Sequence, residues 1–346
     1  MKKYFVYELK KSLFVMCALA VIATAVYVIS VITQVADMLD FGYRHLNIAA
    51  IVVMGGVISV IVPIWKLSYL MKKRSVDLYY SMPLSHTRIL AVKLLVGLVV
   101  LFASFTVAYW IGCFTAMGAL SRTEQLKNVS FIPLYFSLFV PMTIIYALTA
   151  FIFTRANRFI DGIMFVFMTG FSLGMIADVV IIFMRMAHVQ FYDSNYHDYF
   201  YSFSSINFTP LGALNLISSY FSGNMFKNVS TTIGVTAFDW VGLSLVCALG
   251  VAAGVGLFFA QRKAKAENCE QISESFFGYK VMIPLYAFCF AITSARASYV
   301  LVALVAAAAY AVSVLYKRTP KIGWKFALIV GVAFLAGVGL SFLQYA

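Results

Sequence analysis

The sequence predicts an all-α protein that crosses a membrane many times, and three observations carry that class. Of its 346 residues, 63% are hydrophobic and 11% charged, where a soluble domain carries about a quarter charged residues. Apolar runs near or above the ~20 residues needed to cross a bilayer core as helix recur from end to end. These runs are unbroken, whereas the strands of a transmembrane barrel alternate apolar and polar over about ten residues each.

Taken in order, spans are expected at Leu13–Thr33, Leu46–Tyr69, Ile89–Ala116, Phe131–Phe153, Ile160–Met184 and Val235–Ala260. Three shorter or terminal runs follow at Val281–Thr293, Ser298–Tyr316 and Trp324–Phe342. Ahead of them, residues 1–12 place Phe5 and Leu9 at helical spacing with Leu13, and Lys2, Lys3, Lys10 and Lys11 mostly elsewhere. That pattern describes an amphipathic helix lying on the inner leaflet, although a charged start that merely sets topology reads the stretch equally well. The first run is too long for a signal-peptide core and no convincing cleavage site follows it, so it is read as a retained span.

Charge sets the orientation. With the N-terminus cytoplasmic, 20 of the 26 Lys and Arg residues fall inside, leaving Arg44, Arg122, Lys127, Arg185, Lys227 and Arg296 outside. The positive-inside rule requires this asymmetry. It also accounts for most of the net charge of +13, so no nucleic-acid partner is needed. Segments 261–280 and 317–325 are both basic, so an even number of crossings joins them. Nine spans result, with eight as the alternative if one run only dips into the membrane. Cys17, Cys113, Cys247 and Cys289 lie in spans and Cys269 inside; they read as apolar fillers, with no outer pair to form a disulfide.

Between the second and third spans stands KKRSVDLYYSMPLSHTRILAVKLL, residues 72–95. Pro83 interrupts a helix that begins near Arg74, and Ser85 suits the start of another that continues into the third span. Lys72, Lys73 and Arg74 can snorkel to lipid headgroups. Asp77, Tyr79, Tyr80 and Met82 then lie on a short helix parallel to the membrane, offering acidic and aromatic groups to the cytosol. A loop that only reverses the chain needs none of these.

This string resembles the cytoplasmic coupling helix of the permease subunits of bacterial type-2 ABC exporters, through Asp77, Met82-Pro83-Leu84-Ser85, Ile89 and Lys93, with Met82 in place of the usual Leu. RKAKAENCEQIS (262–273) resembles the basic stretch after the sixth span of part of that group, an Arg-Lys-x-x-x-Glu-x-x-Gly pattern. Glu267 fits it and Glu270 stands where Gly would be. The resemblance implies a six-span core over 13–260, with a coupling helix near 74–88 and an outer segment near 190–234. It implies a cytoplasmic loop at 261–280 and leaves the C-terminal spans of 281–346 unexplained. The chain stops at Ala346, soon after the last run, as a naturally short form or a shortened one would.

The resemblance further implies a cell-membrane exporter of an amphipathic cargo: a peptide, a drug or a lipid-like molecule. Two ATPase subunits, bringing ATP and Mg, would dock on the coupling helices of this chain and of a second, identical or different, permease. Asp77, Tyr79, Tyr80, Met82, Pro83, Leu84 and Ser85 would form the docking element. No phosphate-cradling Gly-x4-Gly-Lys-Ser/Thr loop occurs in this chain, nor His-Glu-x-x-His or Gly-x-Ser-x-Gly, so it is not read as an enzyme.

Other chemistry is sparse. Asp178, in the fifth span with Arg185 two turns on, is an intramembrane carboxylate and therefore a candidate for the transport path. His188, Asp193 and His197 carry metal-ligand side chains, but a helix would turn His188 away from His197, and no metal is expected. Gly170 with Gly174, and Gly250 with Gly254, permit close helix approach. Asn128, Asn207 and Asn228 form sequons outside, as chance produces. TPLGALNLISSYFSG (209–223) is too short to span and too apolar for a free loop, so helices re-entering the outer leaflet as a lid are expected. A secondary transporter or channel is the alternative function. It would call for paired ionisable residues near mid-membrane or Gly/Pro-broken helices in symmetric halves, to which Asp178, Pro63 and Pro141 are a thin answer.

Overall fold

The computed structural model describes residues 2–41, 49–81, 84–120, 131–186, 208–225, 237–262, 269–271, 273, 275, 278–295, 299–317 and 323–343. Among them the chain is helical and contains no strand. The helices are α1 (Lys2–Phe41), α2 (Ala49–Leu67), α3 (Lys73–Tyr80), α4 (His86–Leu120), α5 (Phe131–Phe153) and α6 (Phe159–Met186). After them come α7 (Pro210–Met225), α8 (Ala237–Arg262), α9 (Tyr279–Ala295), α10 (Tyr299–Lys317) and α11 (Trp324–Leu343); a 3-10 turn at Ser68–Met71 joins α2 towards α3. Among the described residues, α1, α2 with its turn, α4, α5, α6, α8 and α11 are long and apolar enough to cross a membrane.

The apolar stretches of α9 and α10, Tyr279–Thr293 and Val300–Val314, are shorter. At 1.5 Å per residue each reaches only ~22 Å, against a hydrocarbon core of about 30 Å. Of the nine expected crossings, seven therefore fall on helices long enough to span and two on this shorter pair. A second difference concerns the N-terminus. No break separates residues 2–12 from the first span; α1 runs as one helix from Lys2 to Phe41.

Two compact units divide the chain: Met1–Thr154 with Pro210–Glu267, and Arg155–Thr209 with Asn268–Ala346. Between helices in hydrocarbon there is little water to expel, so small residues that let backbones approach, together with polar contacts, carry the packing. In the first unit α1 lies along α4. Glu8 meets Lys93 and Tyr27 meets Gly112. The two pairs have the same sequence separation, so the helices run in the same direction. A Cβ on Gly112 would fall 1.9 Å from Cδ1 of Tyr27, so only glycine admits that ring. Tyr146 on α5 donates to the Leu94 carbonyl of α4 at 3.0 Å, and Tyr109 on α4 donates to the Phe131 carbonyl of α5 at 2.7 Å.

Helix α7 covers Gly56 of α2 with Leu211 and Leu214, and buries Ala213 beside Ile144 of α5. Gly250 of α8 takes Ile144 against its bare backbone, where a methyl would come within 2.6 Å of Cγ2. A methyl on Gly254 or Gly170 would meet nothing within 4 Å. The close approach expected of both glycine pairs is thus seen at Gly250 and absent at these two.

In the second unit α9 is the hub, with α6, α10 and α11 packed on it. The segment leading into α9 is seated on the start of α6. Asn157 N–H donates to Ser273 Oγ at 2.8 Å, and that hydroxyl donates to Asp161 Oδ2 at 3.1 Å. Glu270 N–H donates to the Asn157 carbonyl at 2.9 Å, while Arg158 Nε donates to the Glu270 carbonyl at 2.8 Å. Glu270 holds φ at 67°, in the left-handed region.

Candidate functional site

Ionised side chains in apolar helices persist where they are paired or face a polar cavity. Three such side chains converge in the first unit, each from a different helix. Glu8 of α1, Lys66 of α2 and Lys93 of α4 are 3%, 6% and 5% exposed. One Glu8 carboxylate oxygen lies 3.8 Å from Lys66 Nζ and the other 3.4 Å from Lys93 Nζ. Tyr4 donates to the same carboxylate at 3.1 Å. Ser12, fully buried, accepts from Lys66 and donates to the Glu8 carbonyl at 2.5 Å. The cluster ties three spans together with one carboxylate and two amines. Removing one partner of such a group leaves uncompensated buried charge, which costs about 3–5 kcal/mol.

Helix α3 is fastened to the same cluster. Lys93 donates to the Tyr79 hydroxyl at 3.1 Å, and its Nζ lies 4.2 Å from the ring centres of both Tyr79 and Tyr69. The two rings meet edge to face at 4.7 Å. Val76, one helical turn before Tyr79, is 2% exposed, so these residues form the inward face of α3. Leu78 is 60% exposed. Burial, with the Glu8 carboxylate adding to it, pushes the Tyr79 phenol above its ordinary range. The ring therefore stays neutral and acts as a packed hydrogen-bonding tether.

The residues singled out in the sequence are distributed unevenly around this anchor. Tyr79 faces the bundle. Asp77 and Tyr80 belong to α3, with side chains outside the described set, and Met82 and Pro83 lie outside the described residues. Leu84 is half-buried, and the Ser85 carbonyl accepts from the N–H groups of Arg88 and Ile89 at 2.9 and 3.1 Å, where α4 begins. Glu8 escaped the sequence reading because it stood within a basic start read only for its positive charges. The available signal was that it is the sole acidic residue among the first 36, while Lys66 and Lys93 interrupt expected spans.

Asp178 belongs to α6 of the second unit, half-buried and lining a cavity of about 570 Å³ with Phe171, Met175, Tyr286 and Cys289. The side chain of Arg185 lies outside the described set, as do His188, Asp193 and His197. Among the described residues no three His, Cys, Asp or Glu side chains gather as a metal site. No family model matches the sequence, no curated protein matches it, and no solved structure matches its fold.

Proposed function

We propose that the chain is the transmembrane subunit of an ATP-driven exporter of amphipathic cargo in the bacterial cell membrane, with its N-terminus cytoplasmic. A separate ATPase docks on α3. The observation that carries this reading is the fastening of α3, a discrete helix between two membrane-crossing ones, to Glu8 through Tyr79 and Lys93. A connecting loop needs no such anchor. A helix that receives a push needs one, because the displacement must reach α1, α2 and α4 together and not be lost in side-chain motion.

Two further points support it. Lys93, which holds α3 to the cluster, occupies the Lys position of the coupling-helix pattern that the sequence resembles. Glu270, at the position where the related basic stretch carries Gly, has the left-handed φ that glycine adopts without strain. ATP and Mg belong to two partner ATPase subunits, and a second permease chain completes the pathway. Helix α7 is assigned the role of a lid at the outer side. A secondary transporter or channel would place its ionisable pairs near mid-helix, but Glu8, Lys66 and Lys93 sit near helix ends.

The test is co-purification of the ATPase with the Tyr80→Ala, Met82→Ala double variant. Loss of the partner and of cargo-stimulated ATP hydrolysis, with normal membrane insertion, is expected. Unchanged co-purification and stimulation would reject α3 as the docking element.

A further inference from the structure

The second unit contains two adjoining cavities, of about 570 and 610 Å³. The first lies between α6 and α9 and includes Asp178; the second continues between α9 and α10. Both are lined by Met168, Tyr286, Phe290 and Thr293, so they join as one groove. Each volume falls in the range of small-molecule sites, which are mostly apolar with a few placed polar groups.

The polar groups of this groove are mostly committed already. Tyr286 donates to the Met168 carbonyl at 2.5 Å, and Thr293 Oγ donates to the Cys289 and Phe290 carbonyls of its own helix at 3.2 Å. Asp178 is different. Among the described residues it is the only carboxylate lining either cavity, and no described side chain hydrogen-bonds or ion-pairs with it. Phe167, Phe171 and Phe290 share its cavity. Away from it the lining turns aliphatic, with Leu301, Leu304, Val305 and Ala308 of α10.

A carboxylate among aromatic rings recognises an ammonium, through charge pairing and the negative faces of the rings. We infer that the groove between α6, α9 and α10 binds an amphipathic cation, its ammonium at Asp178 and its apolar body along α10. A neutral or anionic lipid chain could fill the aliphatic end but would leave the carboxylate uncompensated. A hydrated metal ion would not exchange several oxygen ligands for one carboxylate. As a cargo site the groove rests on the exporter reading; as a binding site it does not.

The test uses the full-length protein in lipid nanodiscs with tritiated dodecyltrimethylammonium, empty discs being subtracted. Saturable binding is expected, weakened at least about tenfold by Asp178→Asn and retained for the most part by Asp178→Glu. Ala308→Phe, which obstructs the aliphatic end without touching the charge, should weaken binding as well. Dodecanol and laurate should compete poorly. Absent saturable binding, an unchanged Asp178→Asn, equal loss in the Asn and Glu variants, or dodecanol competing as well as the cation would each overturn the inference. The last result would mean an acyl-chain groove only. No ATPase is present, so failure here leaves the α3 reading intact. Conversely, cation binding by a chain that captures no ATPase would remove the exporter reading and leave the site.

Discussion

Glu8 in the first unit and Asp178 in the second are both carboxylates set in long apolar helices, and their surroundings differ completely. Glu8 has two lysines and a tyrosine hydroxyl on it and almost no exposure. Asp178 is half-buried beside a cavity, with no described hydrogen-bond or ion-pair partner. A saturated charge builds structure, because every group around it loses something if it leaves. An unsaturated one costs stability and has its coordination to offer a ligand. Both are carboxylates in apolar helices; burial and partners together separate them, Glu8 being closed in by its counter-charges and Asp178 facing a cavity.

The comparison breaks most directly at Glu8. Glu8→Gln should destabilise the protein by about 3–5 kcal/mol, since it leaves Lys66 and Lys93 buried without a counter-charge. Thermal unfolding in detergent would record the loss, and Lys93→Met in the same chain should restore part of it. Asp178→Asn should leave stability unchanged or raise it. If the two carboxylate substitutions cost the same, the distinction between a structural and a ligand-binding charge is wrong.

The next effect is steric. Gly112→Ala places a methyl inside the Tyr27 ring, and over-packing of this kind costs about 1–3 kcal/mol. Gly254→Ala, where a methyl meets nothing within 4 Å, should be silent in the same melting assay. Equal effects would show that α1 and α4 separate easily, and a cluster meant to move them as one would then have little to act on.

Tyr79→Phe sharpens the reading of α3. It keeps the ring against Tyr69 and the Lys93 amine but removes the hydroxyl, at a cost of about 1.5–3 kcal/mol for a hydrogen bond to a charged donor. Hydrogen exchange across 73–80 should accelerate while exchange in the middle of α4 stays unchanged. Uniform acceleration would mean that α3 is part of the bundle core and not a tethered element. Unchanged exchange across 73–80 would mean that the tether carries nothing.

These comparisons also mark how much was legible beforehand. Phe131–Phe153 is both the expected span and the observed α5, and α11 starts at Trp324 as expected. A helix in hydrocarbon must satisfy its own backbone, so run length alone nearly fixes its ends. Helix α3 was legible too, from the basic start and Pro83. Glu8 was not, because its meaning depends on two lysines 58 and 85 residues away, and spacing along one helix says nothing about neighbours on another. Asp178 was legible as a costly residue, while the groove beside it is made by α9 and α10, which the six-span resemblance does not reach. The unbroken α1 was missed for a related reason. An amphipathic start looks interfacial until the partners that bury Glu8 and Ser12 are known; Lys2, Lys3, Lys10 and Lys11 stay exposed.

The smallest expected effect lies at Glu270. Its N–H and carbonyl are both engaged, with the Asn157 carbonyl and Arg158 Nε, and those bonds hold φ at 67°. An L-residue pays about 1–2 kcal/mol there, because Cβ crowds the backbone; glycine has no Cβ but gives back about 0.4–1 kcal/mol through a freer unfolded chain. Glu270→Gly should therefore stabilise by a few tenths of a kcal/mol to about 1 kcal/mol. Glu270→Ala, which removes the carboxylate but keeps the Cβ, should not. The side chain is exposed, so losing its charge alone should matter little. The melting temperatures of the two variants isolate the backbone term. If alanine stabilises as much as glycine, the carboxylate and not the backbone was the source of strain. The match between this position and the glycine of the resembled stretch would then lose its physical basis.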